Sequence, residues 1–166
     1  MRLLKFEDFV NERWAIDMPV ERRIAAGVAM IYDNKILLVR PSGSSPDKSN
    51  LGIPKGKLDS YDEDPMEAAL RELAEETSIE LSPEQLDPTP HQVLFYKHGE
   101  PDGKLIYFVC EISDLSEIGL SSESLELPTD QLQAEEVSWG GFLSADDAYP
   151  KMSHGQMIIL DRHLIK

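Results

Sequence analysis

The chain has 166 residues, of which 41% are hydrophobic, and its 31 acidic residues against 16 Lys and Arg residues give a formal net charge of −15 at pH 7. This length predicts a single domain, and no apolar stretch approaches the roughly 18–20 residues that a membrane span requires. The lone Cys110 excludes an internal disulfide framework and a cysteine-based zinc site, and favours a reducing cytoplasm. The charge argues against long nucleic acids and anionic membranes as partners, because these require basic patches, and at face value against any phosphate-rich ligand.

Apolar runs and turn residues predict the elements in chain order. After an N-terminal lead-in over residues 1–20, a hairpin turning at Asp33-Asn34 is predicted, and a serine-rich, acidic loop is predicted at 113–135. The predicted strands are Arg23–Tyr32, Lys35–Arg40, Leu51–Lys57, Gln92–Tyr96, Leu105–Ile112 and Val137–Leu143, with a turn at Gly99–Gly103 between the fourth and fifth. The predicted C-terminal helices are Ala145–Met152 and Gln156–Ile165. Several strands with a central helix and terminal helices predict a mixed sheet covered on both faces.

The central helix has the clearest local signals. Asp64 suits the N-cap, Pro65 the first helical position and Glu67 the third, so a helix from Pro65 to Thr77 is predicted. Its apolar stripe recurs every three to four residues and consists of Met66, Ala69, Leu70, Leu73 and Thr77.

Three glutamates of this helix share one surface. Glu72, Glu75 and Glu76 are related by i, i+3 and i+4, so their like charges repel one another unless a cation neutralises them. Hard divalent ions prefer such oxygen ligands. Taken alone, such a stretch is more often a solvated helix face than a metal site.

The context of the helix makes these carboxylates specific. From Gly56 the chain contains GKLDSYDEDPMEAALRELAEETSI, which resembles the Nudix box, the hydrolase signature G-x5-E-x7-R-E-U-x-E-E-x-G-U with U apolar. The matching residues are Glu63, Arg71-Glu72, Leu73, Glu75-Glu76 and Ile79. The order of the flanking strands and helices extends the resemblance over most of the chain.

The resemblance implies a metal site and a reaction. Glu72, Glu75 and Glu76 would be catalytic residues that bind Mg²⁺ or Mn²⁺, with the backbone carbonyl of Gly56 as a further ligand. Hydrolases of this family attack a phosphorus of a diphosphate linked to another group, using metal-bound water.

Glu63 and Arg71 are implied to be structural, with the arginine bridging Glu63 and the ligand carboxylates. Two positions depart from the signature. Six residues rather than five separate Gly56 from Glu63, an insertion around Ser60-Tyr61-Asp62, and Ser78 stands where the signature has glycine. If that position requires a left-handed backbone, serine costs of order 1 kcal/mol relative to glycine.

A carboxylate must also accept the proton of the attacking water. Glu72 and Glu75 are candidates inside the box. Glu135 or Glu136 could instead supply the extra carboxylate that some relatives place outside it, the alternative being a solvated pair in a loop.

Residues outside the box bear on the substrate. Pro54-Lys55-Gly56-Lys57 resembles the entry to the box in diadenosine polyphosphate hydrolases and diphosphoinositol phosphohydrolases, and Tyr96 falls where the diadenosine tetraphosphate enzymes have an adenine-stacking tyrosine. Arg40, Lys55 and Lys57 would add positive charge beside the cleft. The alternatives are a half-buried strand aromatic for Tyr96 and solvent-exposed side chains for the lysines.

Together these observations predict an α/β fold, a Nudix-type α/β/α sandwich with a mixed β-sheet and the box loop and helix, over residues 1–166 as one domain. The predicted function is metal-dependent cleavage of a nucleoside diphosphate-linked substrate. The substrate that the sequence favours most is a dinucleoside polyphosphate. The alternatives are an ADP-ribose or nucleotide-sugar pyrophosphatase and a non-catalytic nucleotide-binding module. The predicted partner is a small nucleotide, not a long nucleic acid or a membrane, bound by a monomer or homodimer. Divalent ions would then turn an acidic cleft into a phosphate-binding one.

Overall fold

The structure is a computed structural model that describes residues 23–60, 63–121 and 124–165. The predicted N-terminal lead-in over residues 1–20 therefore lies outside the described residues, as do Tyr61 and Asp62 of the box insertion. Within the described ranges, no helix is both long and apolar enough to cross a membrane.

The first two strands form the predicted hairpin. Strand β1 spans Arg23–Tyr32 and strand β2 spans Lys35–Pro41. The two turn residues, Asp33 and Asn34, have φ values of 50° and 55°, the left-handed conformation that a tight two-residue hairpin requires and that Asp and Asn tolerate best among non-glycine residues.

Strand β3, Lys55–Lys57, fills a gap between β1 and β2. The hairpin strands pair only near their turn, at Ile31↔Ile36 and Tyr32↔Lys35, so the first half of β1 pairs antiparallel with β3 instead. Gly52, just before β3, bridges to Val39 of β2. The predicted strand Leu51–Lys57 is therefore split between two neighbours.

The central helix α1 spans Pro65–Thr77, as predicted. The side chain of Asp64 accepts a hydrogen bond from the N–H of Met66 at 3.3 Å, which caps the first turn. Ala69, Leu73 and Thr77 of the predicted stripe are buried.

The turn between the next two strands differs from the prediction. Strand β4 spans His91–Lys97 and strand β5 spans Glu100–Ile112, so the turn consists of His98 and Gly99 rather than Gly99–Gly103. Both turn residues have positive φ, and a bulge between Phe95 and Tyr96 lets the polar start of β5 continue the ladder. The turn was predicted from the turn-forming residues between Gly99 and Gly103, most of which in fact belong to β5. The strand can include Pro101 because a proline is tolerated beside a bulge.

The C-terminal helices are shorter than predicted. Strand β6, Val137–Leu143, matches the prediction, but the helix that follows it, α2, spans only Ala145–Ala148, and the last helix, α3, spans Ile158–His163. Short 3-10 turns at Tyr149–Lys151 and His154–Gln156 replace the missing helical turns. Their Pro150 and Gly155 are poor helix formers, which explains the interruption.

The strands form one mixed sheet in the order β4-β5-β1-β2-β6, in which β1 and β5 run parallel along the whole of β1 and the other pairs are antiparallel. One face, here the helix face, carries α1 over a core that includes Met30, Leu37, Leu73, Ile106 and Phe108. The other, here the C-terminal face, carries α3 over a core that includes Leu38, Leu105, Tyr107, Ile159 and Leu160. An α/β fold with a mixed sheet covered on both faces is thus confirmed.

The acidic loop at 113–135 was predicted to be solvated, and this holds for only part of it. Its described acidic residues are exposed, but Leu115, Leu120 and Leu127 are buried in the core of the helix face.

Candidate active site

Two glutamates of α1 are buried against β3. Glu72 and Glu76 lie one helical turn apart, and each is only 7% exposed. The N–H of Lys55 donates a hydrogen bond to Oε1 of Glu76 at 2.8 Å, while the carboxylate of Glu72 lies against the Cα of Gly56. Glu75, whose side chain is 45% exposed, lies at the rim of the same site.

Glycine is needed where β3 passes between the carboxylates and β1. A Cβ atom on Gly56 would overlap the carboxylate of Glu72. On the opposite side, a Cβ atom on Gly27 of β1 would lie 2.5 Å from the carbonyl oxygen of Pro54. The absence of side chains at both positions lets backbone approach backbone and carboxylate closely.

Arg71 links the box loop to the carboxylates. Its Nη2 donates to Oε1 of Glu63 at 3.1 Å, and its Nη1 donates to Oε1 of Glu72 at 2.9 Å. Oε1 of Glu75 lies 3.5 Å from the same Nη1. Burial lowers the pKa of Arg71, but the hydrogen bond and charge of Glu63, with the charges of Glu72 and Asp59, outweigh burial and raise it. The guanidinium is therefore a permanent charge that holds loop and helix together.

The buried carboxylates are poorly compensated by the protein itself. Burial raises the pKa of Glu76 to about 8, against the opposing N–H group and charge of Lys55. Burial also raises the pKa of Glu72, although Arg71 opposes the shift. The charge of Glu75 further raises the pKa of Glu72, the charge of Glu72 further raises the pKa of Glu76, and the charge of Glu136 raises both. A cation at this point would relieve all of these costs.

Glu136 and Glu135 differ in their relation to this site. Both are exposed, but it is Glu136 whose charge acts on the two buried carboxylates. The chain before β6 is held at the end of α1: the N–H of Gln133 donates to the carbonyl of Glu76 at 3.1 Å, and Nε2 of Gln131 donates to the carbonyl of Thr77 at 2.9 Å.

A cleft of about 270 Å³, here the lysine cleft, opens beside β3. Two of its lysines, Lys55 and Lys57, were singled out from the sequence, whereas Phe95 and Lys104 were not. The strand was predicted to begin at Leu105, after a turn at Gly99–Gly103, which left Lys104 outside both elements. The lining residues are Ala25, Lys55, Gly56, Lys57, Phe95, Asp102, Gly103 and Lys104.

The other two proposed substrate residues lie elsewhere. The guanidinium carbon of Arg40 lies 5.6 Å from the ring centroid of Trp139, its partner across the β2–β6 ladder, and Nε of Arg40 is buried without a hydrogen-bond partner. Tyr96 is 62% exposed, beside the lysine-cleft residue Phe95.

The residues at the site offer the type of donor atom that a hard divalent cation binds. The described ranges contain no group of three or more His, Cys, Asp or Glu side chains already gathered around one point. The donors are nevertheless oxygens, which Mg²⁺ and Mn²⁺ prefer. The raised pKa values of Glu72 and Glu76 show that too little positive charge lies nearby to balance two ionised carboxylates. A third side-chain ligand requires Glu75 or Glu136 to turn inward.

A family model for the NUDIX domain matches residues 21–158. The chain belongs to the NUDIX domain family. It is therefore a member of the Nudix hydrolase family, as the resemblance of its box predicted. The curated relative named "m7GpppN-mRNA hydrolase NUDT17" from Danio rerio is 33% identical over 84 residues, which are 47% of this chain and 28% of that protein.

Solved Nudix structures share the fold at low identity. A C. elegans Ap4A hydrolase, in a binary complex, has a TM-score of 0.57 at 22% identity and covers 84% of this chain and 93% of its own. A MutT NUDIX hydrolase from Burkholderia pseudomallei has a TM-score of 0.59 at 22% identity, over 85% of this chain and 97% of its own. A bifunctional NMN adenylyltransferase/ADP ribose pyrophosphatase from Francisella tularensis, with AMP and a Mn ion, has a TM-score of 0.60 at 21% identity, over 90% and 43%.

The Nudix box of this chain keeps the left-handed turn without the signature's glycine. Ser78 has φ 63° and ψ 13°, and its N–H closes the helix by donating to the carbonyl of Ala74 at 2.9 Å. Its hydroxyl donates to the carbonyl of Gln131 at 2.6 Å, which offsets part of the strain. Beside the position of the insertion, the carboxylate of Glu63 accepts a hydrogen bond from the N–H of Asp59 at 2.6 Å.

Proposed function

We propose that this Nudix hydrolase cleaves a nucleoside diphosphate-linked substrate in a Mg²⁺- or Mn²⁺-dependent reaction, and that its preferred substrate is a dinucleoside polyphosphate. The observation that carries the proposal is that Lys55 and Gly56 belong both to the buried carboxylate site and to the lysine cleft. They contact the buried carboxylates of Glu76 and Glu72 on one side, and they line the lysine cleft on the other.

The carboxylates would hold the metal. Glu72, Glu75 and Glu76, with the backbone carbonyl of Gly56, are the oxygen ligands that we assign to it. When bound, such an ion neutralises phosphate oxygens and lowers the pKa of a bound water. The Arg71 guanidinium keeps Glu72 oriented, because the same side chain is tied to Glu63 of the loop.

The reaction is hydrolysis of a phosphoric anhydride. A water oxygen forms a bond to phosphorus, the bridging P–O bond breaks, and the leaving phosphate takes up the electron pair. A carboxylate accepts the proton of the water. Glu72, Glu75 and Glu136 are the candidates, and Glu136 is favoured over Glu135 because its charge acts on the buried pair.

The lysine cleft favours a substrate with several phosphates. Lys55, Lys57 and Lys104 line one small cleft in a chain of net charge −15, so positive charge is concentrated beside the carboxylates. A polyphosphate chain gains more from three ammonium groups than a simple diphosphate does. The exposed ring of Tyr96 offers a face on which a base can stack.

Two other substrate classes are candidates. The Danio rerio relative is named as an mRNA-cap hydrolase, and a cap is itself a nucleotide joined to RNA through phosphates. The Francisella tularensis structure is named in part as an ADP ribose pyrophosphatase. Capped RNA longer than a few nucleotides is disfavoured by the acidic surface of this chain, since the phosphates of an RNA require a basic track.

A substrate panel tests the proposal. Dinucleoside polyphosphates, ADP-ribose, nucleotide sugars and a cap dinucleotide are each incubated with the protein and Mg²⁺ or Mn²⁺, and released mononucleotide is measured by chromatography. We expect turnover to be highest for the dinucleoside polyphosphates and to be lost in Glu76→Gln but kept in Glu80→Gln, an exposed glutamate beyond the helix. Tight binding without turnover of any compound would instead favour a non-catalytic module.

A second variant tests the base-stacking position. Tyr96→Ala should raise KM for adenine-bearing substrates more than it lowers the melting temperature, because the ring is mostly exposed. Unchanged kinetics would remove Tyr96 from the binding site.

A further inference from the structure

The segment from Leu51 to Gly56 carries the backbone that contacts both buried carboxylates. Its own position is set by hydrogen bonds to neighbouring strands. Gly52 and Val39 exchange two backbone hydrogen bonds, of 2.8 and 3.1 Å, and the carbonyl of Pro54 accepts one from the N–H of Val28 at 3.2 Å.

Between these anchors, one backbone group is held by a side chain. The N–H of Ile53 donates to Oε1 of Gln156 at 2.9 Å, although the two residues are 103 positions apart. Gln156 is only 4% exposed. Its amide packs closely against Gly52, where a Cβ atom would be 2.5 Å from Nε2 of Gln156. A buried amide in an apolar core is costly unless it makes such hydrogen bonds, so its placement calls for a reason.

Residues just before Gln156 make further hydrogen bonds to the same segment, Leu51 to Gly56. The N–H of Leu51 donates to the carbonyl of Lys151 at 2.9 Å, and the N–H of Ser153 donates to the carbonyl of Leu51 at 2.9 Å. These bonds are between backbone groups and do not involve the Gln156 side chain. Loss of the side-chain acceptor should therefore leave the segment attached and affect mainly Ile53.

Ile53 lies two residues before Lys55 and three before Gly56. We propose that Gln156 is a positioning residue for the carboxylate site: by fixing Ile53 it keeps the Lys55 N–H on Glu76 and the Gly56 backbone against Glu72. The link to metal binding rests on the proposed function, whereas the effect on the position of Lys55 does not.

The test removes the acceptor while keeping the volume of the side chain. In Gln156→Met, hydrogen exchange of the Lys55 amide in the metal-free protein should accelerate relative to the other amides of the sheet. The Kd for Mn²⁺, measured by electron paramagnetic resonance, should rise roughly tenfold, the size of effect seen when a ligand loses its supporting contact.

Two further variants separate positioning from general destabilisation. Ile159→Val trims a fully buried side chain in the core of the same face; it should lower the melting temperature without changing Lys55 exchange relative to other amides or the Kd for Mn²⁺. Gln156→Glu keeps an oxygen acceptor at the same distance, and its carboxyl group is expected to be neutral when buried. This variant should restore both the protection of Lys55 and the affinity for Mn²⁺.

The outcomes distinguish the two proposals. If Gln156→Met folds with wild-type protection of Lys55 and a wild-type Kd for Mn²⁺, or if Gln156→Glu loses affinity as strongly as Gln156→Met does, the positioning role is wrong. If Gln156→Met does not fold, the comparison of Gln156→Glu with the wild type decides. Failure of the wild-type protein to bind Mn²⁺ would contradict the proposed function, while the exchange of Lys55 would still test the role of Gln156.

Discussion

The helix face buries a pair of titratable side chains and the C-terminal face half-buries another, but the two faces compensate them differently. On the helix face, burial raises the pKa of Glu72 and Glu76. On the C-terminal face, burial lowers the pKa of His91 and of His163, whose rings meet edge to face at a centroid distance of 4.8 Å. In both places, the environment disfavours the charged form of the side chain.

The two pairs differ in the protein groups that are available to them as partners. The hydroxyl of the fully buried Tyr107 lies 2.9 Å from Nε2 of His163, and Nη1 of Arg162 donates to the same hydroxyl at 3.3 Å. The neutral form of His163 is thus satisfied by a protein hydroxyl, and the ring of His91 stacks on Tyr107 at a centroid distance of 5.2 Å. The glutamate pair, by contrast, has one arginine and one backbone N–H as partners, and these only partly offset the cost of burying two carboxylates. Burial with internal partners indicates a structural cluster, whereas burial with a deficit of positive charge indicates a site for a cation.

The largest expected effect comes from filling the space beside the glutamate pair. Gly56→Ala forces the Glu72 carboxylate out of its position, because the added Cβ would overlap it. Displacing a ligand should cost at least as much as losing a supporting contact, so we expect activity to fall by roughly 100-fold or more. Steady-state kinetics on the best substrate of the panel measure this.

Gly140→Ala is the matched control. Its added Cβ would lie 2.9 Å from Cδ1 of Leu127, the end of a flexible side chain that can move away. Comparable activity losses in both variants would argue against a special role for the space at Gly56.

The next effect concerns the stability of the metal-free protein at alkaline pH. The folded pKa of Glu76, about 8, exceeds its ordinary value of 4.5, so the folded state binds this proton more tightly than the unfolded state does. The contribution of Glu76 to stability is therefore complete below pH 4.5 and is lost as the pH rises through 8. Urea unfolding in EDTA at a series of pH values should show this loss in the wild type but not in Glu76→Gln.

Added Mg²⁺ should restore stability most strongly at the alkaline end, where Glu76 is ionised and free to bind it. Identical pH dependence in the wild type and in Glu76→Gln would show that the carboxyl group is not perturbed by burial.

The histidine pair should give a pH dependence of opposite sign. The folded pKa of His163 lies below its ordinary value of 6.5, so the unfolded state binds the proton more tightly. Stability from this residue is present above pH 6.5 and is lost as the pH falls below it. We expect His163→Gln to flatten the decline between pH 6.5 and 5, measured by the same urea titrations, with activity per folded molecule retained. A decline of equal steepness in this variant would assign it to other groups.

The smallest expected effect is at the C-terminal end of α1. Ser78→Gly relieves a left-handed backbone at a gain of about 1 kcal/mol, partly offset by the greater freedom of glycine in the unfolded chain and by loss of the hydroxyl bond to Gln131. We expect a net stabilisation below about 1 kcal/mol in thermal unfolding. A clear destabilisation would mean that the hydroxyl bond outweighs the strain.

Local signals were sufficient to predict some elements without tertiary information. The helix Pro65–Thr77 was predicted to the residue because its cap, its proline and its apolar stripe all agree. The turn at His98-Gly99 was placed too late in the chain, since the ladder across the bulge overrides the turn preference of Glu100–Gly103.

The candidate site was predictable where residues are close in sequence and not where the sheet brings them together. The box carboxylates share one helix, so their spacing alone groups them. Phe95 and Lys104 join Lys55 in the lysine cleft only because β4, β5 and β3 converge there. Gln156 gives no sequence signal at all, because its importance depends on a contact with Ile53 across the core.

The parallel pairing of β1 with β5 has a consequence for how the molecule folds. Arg23 pairs with Gly103 and Tyr32 with Ile112, so the centre of the sheet forms only when segments separated by about half of the chain meet. Such non-local contacts slow folding, because the loop must close before the pairing is gained. During synthesis α1 therefore leaves the ribosome well before the strand that completes its sheet. The proposed metal site is expected to form late, after the C-terminal residues that support it have been made.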